Sequence, residues 1–223
     1  LCEFLNLMGA NISGIGSSNI VIDGVDALSS ADIEIIPDRI EAGTFLIAGA
    51  LLGEITLESI NTNHLLSVIL KLKDAGCELI NKDDSVTIKP AKFIKPVDIS
   101  TAVYPGFPTD LQAQWVALMT LGKGSSIITD NVYKDRFSHI PELNRLGAKI
   151  KVDQNSAWVK GVDILKGAQV MSTDIRASAA LIIGGLTAHG ITEVQRVYHI
   201  DRGYEKIEEK FSLLGAKINR VSA

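Results

Sequence analysis

The chain has 223 residues, 46% hydrophobic and 22% charged, with a net charge of −4. That length and mix allow a substantial core in one or two domains and exclude a disordered chain. No Lys/Arg run supplies the basic footprint of a nucleic-acid binder, and the most apolar stretch, 177–188, is too short for a bilayer and is cut by Gly184 and Gly185.

The chain opens on Leu1 already inside an amphipathic helical pattern, with no cap before it. It therefore reads as the carboxyl part of a longer polypeptide. A helix ending at Gly9 and short strands at 11–14 and 19–22 close a first segment, 1–32, taken as the incomplete last unit of an amino-terminal domain. The rest, 33–223, reads as a carboxyl-terminal domain of three repeated units. A helix begins at Asp38 and leads to a strand at 54–60. A second helix buries Leu65, Ile69 and Leu72 and stops at Gly76, and strands follow at 77–80 and 85–88. The pattern returns with a helix from Asp110, a strand at 125–129, a helix carrying Ile140, Leu143 and Leu146 up to Gly147, and strands at 149–152 and 157–159. It returns again with a helix from Asp174, a strand at 191–195, and a helix carrying Ile207, Phe211 and Leu214 up to Gly215. Recurrence about every 70 residues marks an internal repeat. Gly9, Gly76, Gly147 and Gly215 each suit the left-handed stop of a helix. The expected unit is helix, strand, helix, strand, strand, packed into a compact α/β domain. The small residues Ala48-Gly49-Ala50 and 179–185 suit close helix packing.

The stretch Tyr104-Pro105-Gly106-Phe107-Pro108-Thr109-Asp110 is a stiff loop running into a helix whose Leu111, Trp115, Leu118 and Met119 share a face. Asp110 has two readings. Either it or Thr109 caps the helix, or it is a general base aimed at a substrate hydroxyl. Four arginines, Arg39, Arg136, Arg176 and Arg202, stand at loop-to-helix junctions, where free N–H groups and forked guanidinium donors favour anions. If the repeat turns these junctions to one side, they form an anion site beside Asp110 and Asp174. Alternatively, each pairs with the aspartate next to it. Cys2 and Cys77 lack metal-ligand spacing and read as buried thiols of a reducing compartment. His64, His139, His189 and His199 suggest neither metal nor triad and read as structural or solvent-facing. There is no Walker or Rossmann loop, so neither metal nor cofactor is expected.

The segments 36–45 (IPDRIEAGTF), 107–114 (FPTDLQAQ), 173–178 (TDIRAS) and 198–205 (YHIDRGYE) closely resemble the UDP-N-acetylglucosamine 1-carboxyvinyltransferases, in order and spacing, across essentially the whole chain. The resemblance covers the carboxyl half of such an enzyme. It implies an enolpyruvyl transferase-like inside-out α/β barrel built from β-α-β-α-β-β units, with the active site in a cleft between two domains. It implies a cytoplasmic enzyme of peptidoglycan synthesis that moves the enolpyruvyl group of phosphoenolpyruvate to the sugar 3-hydroxyl and releases phosphate, without a cofactor, a membrane or nucleic acid. By the same resemblance, Asp110 is the carboxylate that takes the hydroxyl proton, and Asp174 is a second carboxylate near the reacting groups. Thr109, Val132, Tyr133 and Arg136 line the UDP-sugar site. Arg202 and Gly203 contact phosphoenolpyruvate, with Arg176 in the same anionic neighbourhood. The proton-donating loop, usually carrying a cysteine, belongs to the amino-terminal half, so the chain alone is expected to lack turnover. The related enolpyruvylshikimate phosphate synthases and a non-catalytic binding half are the competing readings. The RNA-end cyclases are a more distant relative in architecture, disfavoured by the acidic chain.

Overall fold

The computed structural model describes residues 1–221. Two compact units divide at Ile36–Pro37. In the first, helix α1 (Cys2–Leu7) precedes an antiparallel hairpin of β1 (Asn11–Ser13) and β2 (Val21–Asp23). Cys2 is only half-buried, contrary to expectation, whereas Cys77 in the second unit is buried. Burial pushes the Cys77 thiol up, so it stays protonated and unreactive.

The second unit is built on three helices: α2 (Arg39–Leu52), α4 (Gln112–Met119, entered through a 3₁₀ turn Thr109–Leu111) and α6 (Ile175–Thr187). They pack on one another, and each is buried along a continuous run: 42–50, 112–119 and 177–184. Every residue of α4 is buried, so it has no polar face, only a more inclusive version of the expected stripe. A helix surrounded by protein must be apolar all round, and small residues let its neighbours close in. A Cβ on Gly49 would sit 2.6 Å from Ile88 Cγ2, so the glycine of the Ala48–Ala50 cluster admits a strand rather than a helix. Of the two buried glutamines of α4, Gln112 has no side-chain partner among the described residues, and Gln114 is held through its amide nitrogen. Its Nε2 donates to Thr44 Oγ1 at 3.1 Å and Tyr204 Oη at 3.3 Å, while those hydroxyls share a 2.7 Å bond. Buried polar groups hold when they satisfy one another. Burial pushes the Tyr204 hydroxyl up to about 12, keeping it a neutral donor.

Outside these helices lie the sheets. β3 (Ile55–Glu58), β4 (Glu78–Asn81) and β5 (Ser85–Lys89), with α3 (Leu66–Asp74), form an antiparallel sheet in the order β3-β5-β4. β6 (Ile99–Ser100), β7 (Ser125–Thr129), β8 (Lys149–Asp153) and β9 (Ser156–Lys160), with α5 (Ile140–Arg145), form the order β6-β7-β9-β8. β10 (Gln169–Met171) and β11 (Glu193–Gln195) pair in parallel, and α7 (Ile207–Leu213) follows. The periodicity missed β6 and β10, each a short leading strand parallel to the strand after the buried helix. With them the second repeat unit reads β-α-β-α-β-β, while the first repeat has no leading strand before α2 among the described residues. Two corrections follow. The strands form separate sheets and do not close into a barrel among the described residues. The third unit has no closing hairpin there, and Leu214, expected in the buried stripe with Ile207 and Phe211, is 51% exposed.

The repeat also has a side-chain signature. Asn6 bonds both backbone groups of Ile12, and Asn144 both backbone groups of Ile150. Ser212 Oγ donates to Ile218 O at the same offset. In each case a polar residue near the helix end bonds the backbone six residues on, which lies in a strand after Gly9 and Gly147. The glycine that stops the helix adopts a positive φ in all four places, 92° to 101°, which L-residues disfavour.

Candidate active site

The sequence places an aspartate at the start of each buried helix, and the structure uses them differently. Asp38 Oδ1 accepts from the N–H groups of Ile40 and Glu41, and Asp174 Oδ1 from those of Arg176 and Ala177. Both are N-caps, each stabilising its helix by about 1 kcal/mol. Asp110 caps nothing. The loop before it, with a cis Tyr104–Pro105 bond, sets Pro108 as the extended residue ahead of the 3₁₀ turn, and no side chain caps that turn. The Asp110 side chain is left to reach outward.

There it meets two arginines. Asp110 Oδ1 accepts from Arg136 Nη1 at 2.8 Å, and from Arg176 Nε at 2.8 Å and Nη2 at 2.5 Å. Arg136 comes from the loop after β7 and Arg176 from the first turn of α6. Neither pairs with the aspartate next to it in sequence. Burial alone would raise the Asp110 carboxyl, but the hydrogen bonds and charge of Arg176 and then Arg136 outweigh it and hold the group below its usual value. Burial likewise works against Asp174, and its N–H bonds, with Ser138 and Thr173, pull it below normal. Both groups are therefore carboxylates at neutral pH.

The loop carrying Arg136 is organised by a residue that the sequence reading missed. Asp130, at the end of β7, is fully buried. Its Oδ1 accepts from Thr101 Oγ1 at 2.7 Å and from the N–H groups of Val132 and Tyr133 at 3.0 and 2.9 Å. Its Oδ2 accepts from Thr109 Oγ1 at 2.7 Å. Bonding to N–H groups two and three residues on is the habit of aspartate in turns; Asp130 directly after an apolar strand was the available signal. Thr109 also accepts from Arg136 Nη1 at 3.2 Å, and the Arg136 guanidinium lies 4.8 Å over the Tyr133 ring.

Thr109, Asp110, Arg136 and Arg176 thus meet directly. Val132 and Tyr133 stand on the same loop, half-exposed. Asp174 lies two residues before Arg176 and caps its backbone N–H. Gly203 packs on α6, where an added Cβ would lie 3.5 Å from Ile175 Cγ2. Arg202 is exposed and bonds to none of these residues. Arg39 stands apart, its guanidinium 5.5 Å over the Tyr104 ring. Two open clefts of about 460 and 490 Å³ lie elsewhere, along α7 and over the β7–β9–β8 sheet.

His139, expected to be structural or solvent-facing, is buried, with Nε2 unbonded. Burial lowers its pKa from 6.5 to about 4, with the Asp174 charge opposing. The unfolded chain then binds the proton more tightly. Stability is fully present above pH 6.5 and falls toward pH 4, by on the order of 3 kcal/mol from this residue. A His139→Phe variant is expected to show a shallower acid-side loss in urea unfolding across that window. An unchanged pH dependence would show that His139 is not held neutral.

An ionised aspartate gripped by two arginines at a helix start suits proton removal from a hydroxyl beside a bound anion. The family described as EPSP synthase (3-phosphoshikimate 1-carboxyvinyltransferase) matches residues 1–211. The chain belongs to this family. Within the EPSP synthase family it is similar to the UDP-N-acetylglucosamine 1-carboxyvinyltransferase of Prosthecochloris aestuarii, 54% identical over 99% of this chain and 52% of that protein. The enolpyruvyl transferase NikO from Streptomyces tendae shares its fold with a TM-score of 0.87 at 29% identity, over 98% of this chain and 53% of NikO. EPSP synthase from Acinetobacter baumannii, at 17% identity and TM-score 0.72, over 95% of this chain and 52% of that one, shares the fold alone. The chain spans about half the length of the curated relatives it matches.

Proposed function

We propose that this chain is the carboxyl-terminal half of a UDP-N-acetylglucosamine 1-carboxyvinyltransferase, whose other partner is the amino-terminal half of the same polypeptide. The domain division at 32/33 belongs to this reading. The observation that carries it is Asp110, the one aspartate of its repeat that leaves its helix uncapped and is held by Arg136 and Arg176. The 54% identity to a relative of that name supports the choice of substrate.

In this reading Asp110 Oδ1 stays with the arginines, and Oδ2 takes the proton of the sugar 3-hydroxyl as that oxygen attacks carbon 2 of phosphoenolpyruvate. Carbon 3 must be protonated in the same addition, by an acid from the amino-terminal half. Phosphate then leaves and the enol double bond re-forms as carbon 3 gives up a proton. Thr109, Val132, Tyr133 and Arg136 line the UDP-sugar. Arg176 stabilises the charge of the tetrahedral intermediate, Arg202 and Gly203 hold phosphoenolpyruvate, and Asp174 keeps the start of α6 in place close to the reacting groups. Arg202, exposed and with no side-chain bond among the described residues, can turn onto the donor's anion when the cleft closes and excludes water. The enzyme acts in the cytoplasm at the start of peptidoglycan synthesis, and so in cell-shape maintenance and division.

The test is phosphate release from phosphoenolpyruvate and UDP-N-acetylglucosamine by the chain joined to its amino-terminal half, with shikimate 3-phosphate in parallel. Sugar-dependent release is expected; release with shikimate phosphate alone would move the assignment to the synthase. The isolated chain should release none, and a full-length rate from it would sink the division of labour. In the joined protein, Arg202→Ala is expected to raise KM for phosphoenolpyruvate at least tenfold while leaving UDP-sugar binding within about twofold. Equal losses for both substrates would remove that role.

A further inference from the structure

We infer that Asp130 is a positioning residue for the sugar-side machinery, setting Arg136 and through it Asp110; this rests on the transferase reading above. A fully buried carboxylate is costly unless hydrogen bonds compensate it, and this one is compensated by groups from three places: Thr101 after β6, Thr109 before α4, and the Val132–Tyr133 backbone. A need for local stability alone would be met by the two N–H bonds of the turn. The other two bonds tie that turn to neighbouring segments.

The consequences converge on one guanidinium. Through Oδ2, Asp130 draws the Thr109 proton toward itself, which leaves the Thr109 oxygen facing Arg136 Nη1 as an acceptor. Through Oδ1, it fixes the backbone of Tyr133, whose ring lies beneath the Arg136 guanidinium. Arg136 is thus held at an edge and on a face by two groups that share one anchor, and its Nη1 is delivered to Asp110 Oδ1. Asp130 touches no reacting atom in this arrangement. It acts by fixing two sugar-site residues and the partner of the base.

The geometry separates the two arms. In Asp130→Asn, the amide oxygen can replace Oδ1 and keep the turn, but the NH₂ group replaces Oδ2 and faces Thr109 as a donor. Thr109 must then turn its proton away while two donors, the new amide and Arg136, compete for its oxygen. Thr109→Val removes the same link from the other end. In the full-length protein, once parent turnover is established, Asp130→Asn and Thr109→Val are each expected to raise KM for UDP-N-acetylglucosamine about tenfold, with KM for phosphoenolpyruvate within about twofold and the unfolding midpoint little changed. Thr101→Ser, which keeps the other hydroxyl donor to Asp130, should stay near the parent. The double variant should be no worse than the worse single variant, because both cut one link. Parent-like KM in Thr109→Val, or additive losses in the double variant, would overturn the inference while leaving the transferase reading intact. No parent turnover would overturn both.

Discussion

Replacing Asp110 by Asn in the full-length protein is expected to lower kcat by about 10²–10⁴-fold while UDP-sugar binding stays close to the parent, since that range is the usual contribution of a positioned base. The substitution is informative because of how the carboxylate is held. All three arginine bonds fall on Oδ1. An amide oxygen in that position keeps them, so the site should not rearrange. The atom that changes is Oδ2, which becomes a donor unable to take a proton. A lost dead-end contact would raise KM; a lost base lowers kcat. Measuring kcat and sugar affinity side by side decides between them, and a rate within about threefold of the parent would remove Asp110 from proton transfer.

The second large effect is on stability. Trp115→Ala is expected to cost about 3–5 kcal/mol in urea unfolding, the range for truncating a large aromatic in a core. Trp115 is fully buried, its ring edge-on to Phe107 at 5.4 Å, and its Nε1 donates to Val97 O at 3.3 Å. Phe107 is the apolar foot of the proline-bounded loop, and its carbonyl accepts from Ala102 N. Truncation therefore opens a cavity under the segment that delivers Asp110. Trp115→Phe should recover most of the loss, leaving the indole hydrogen bond and the remaining volume. A loss below about 1 kcal/mol for Trp115→Ala would show that the loop is held by its prolines and backbone bonds alone.

The parts legible in the sequence are those fixed by local rules. The glycine stops were readable because a positive φ is a constraint on one residue. Strand β7 was readable at its full extent because five residues suffice for a pattern. β6 and β10 were not, since two or three residues carry no alternation and their pairing is with a strand beyond the next helix. Asp110 marks the limit most clearly. Spacing makes it equivalent to the caps Asp38 and Asp174. What distinguishes it arrives from 26 and 66 residues further along the chain. The alternative in which each arginine pairs with its adjacent aspartate failed for the same reason, because a forked donor follows the geometry of the fold and not chain proximity. Asp130 was within reach of local reasoning, since an aspartate directly after a strand commonly accepts from N–H groups two and three residues on.

The burial of α2, α4 and α6 on every side has a consequence for how the protein is made. An amphipathic helix emerging from the ribosome can turn its apolar side inward and wait; these three have no side that water favours. α2 is complete long before its partner α6, and at ~5–20 residues per second the interval is on the order of ten seconds. Throughout it, a segment that is nearly all apolar can be covered by β3, β5 and α4 but not by α6, so one of its sides stays bare. The nascent chain is most vulnerable to aggregation in that interval, and slowing translation between α4 and α6 lengthens it without altering a single contact of the finished fold.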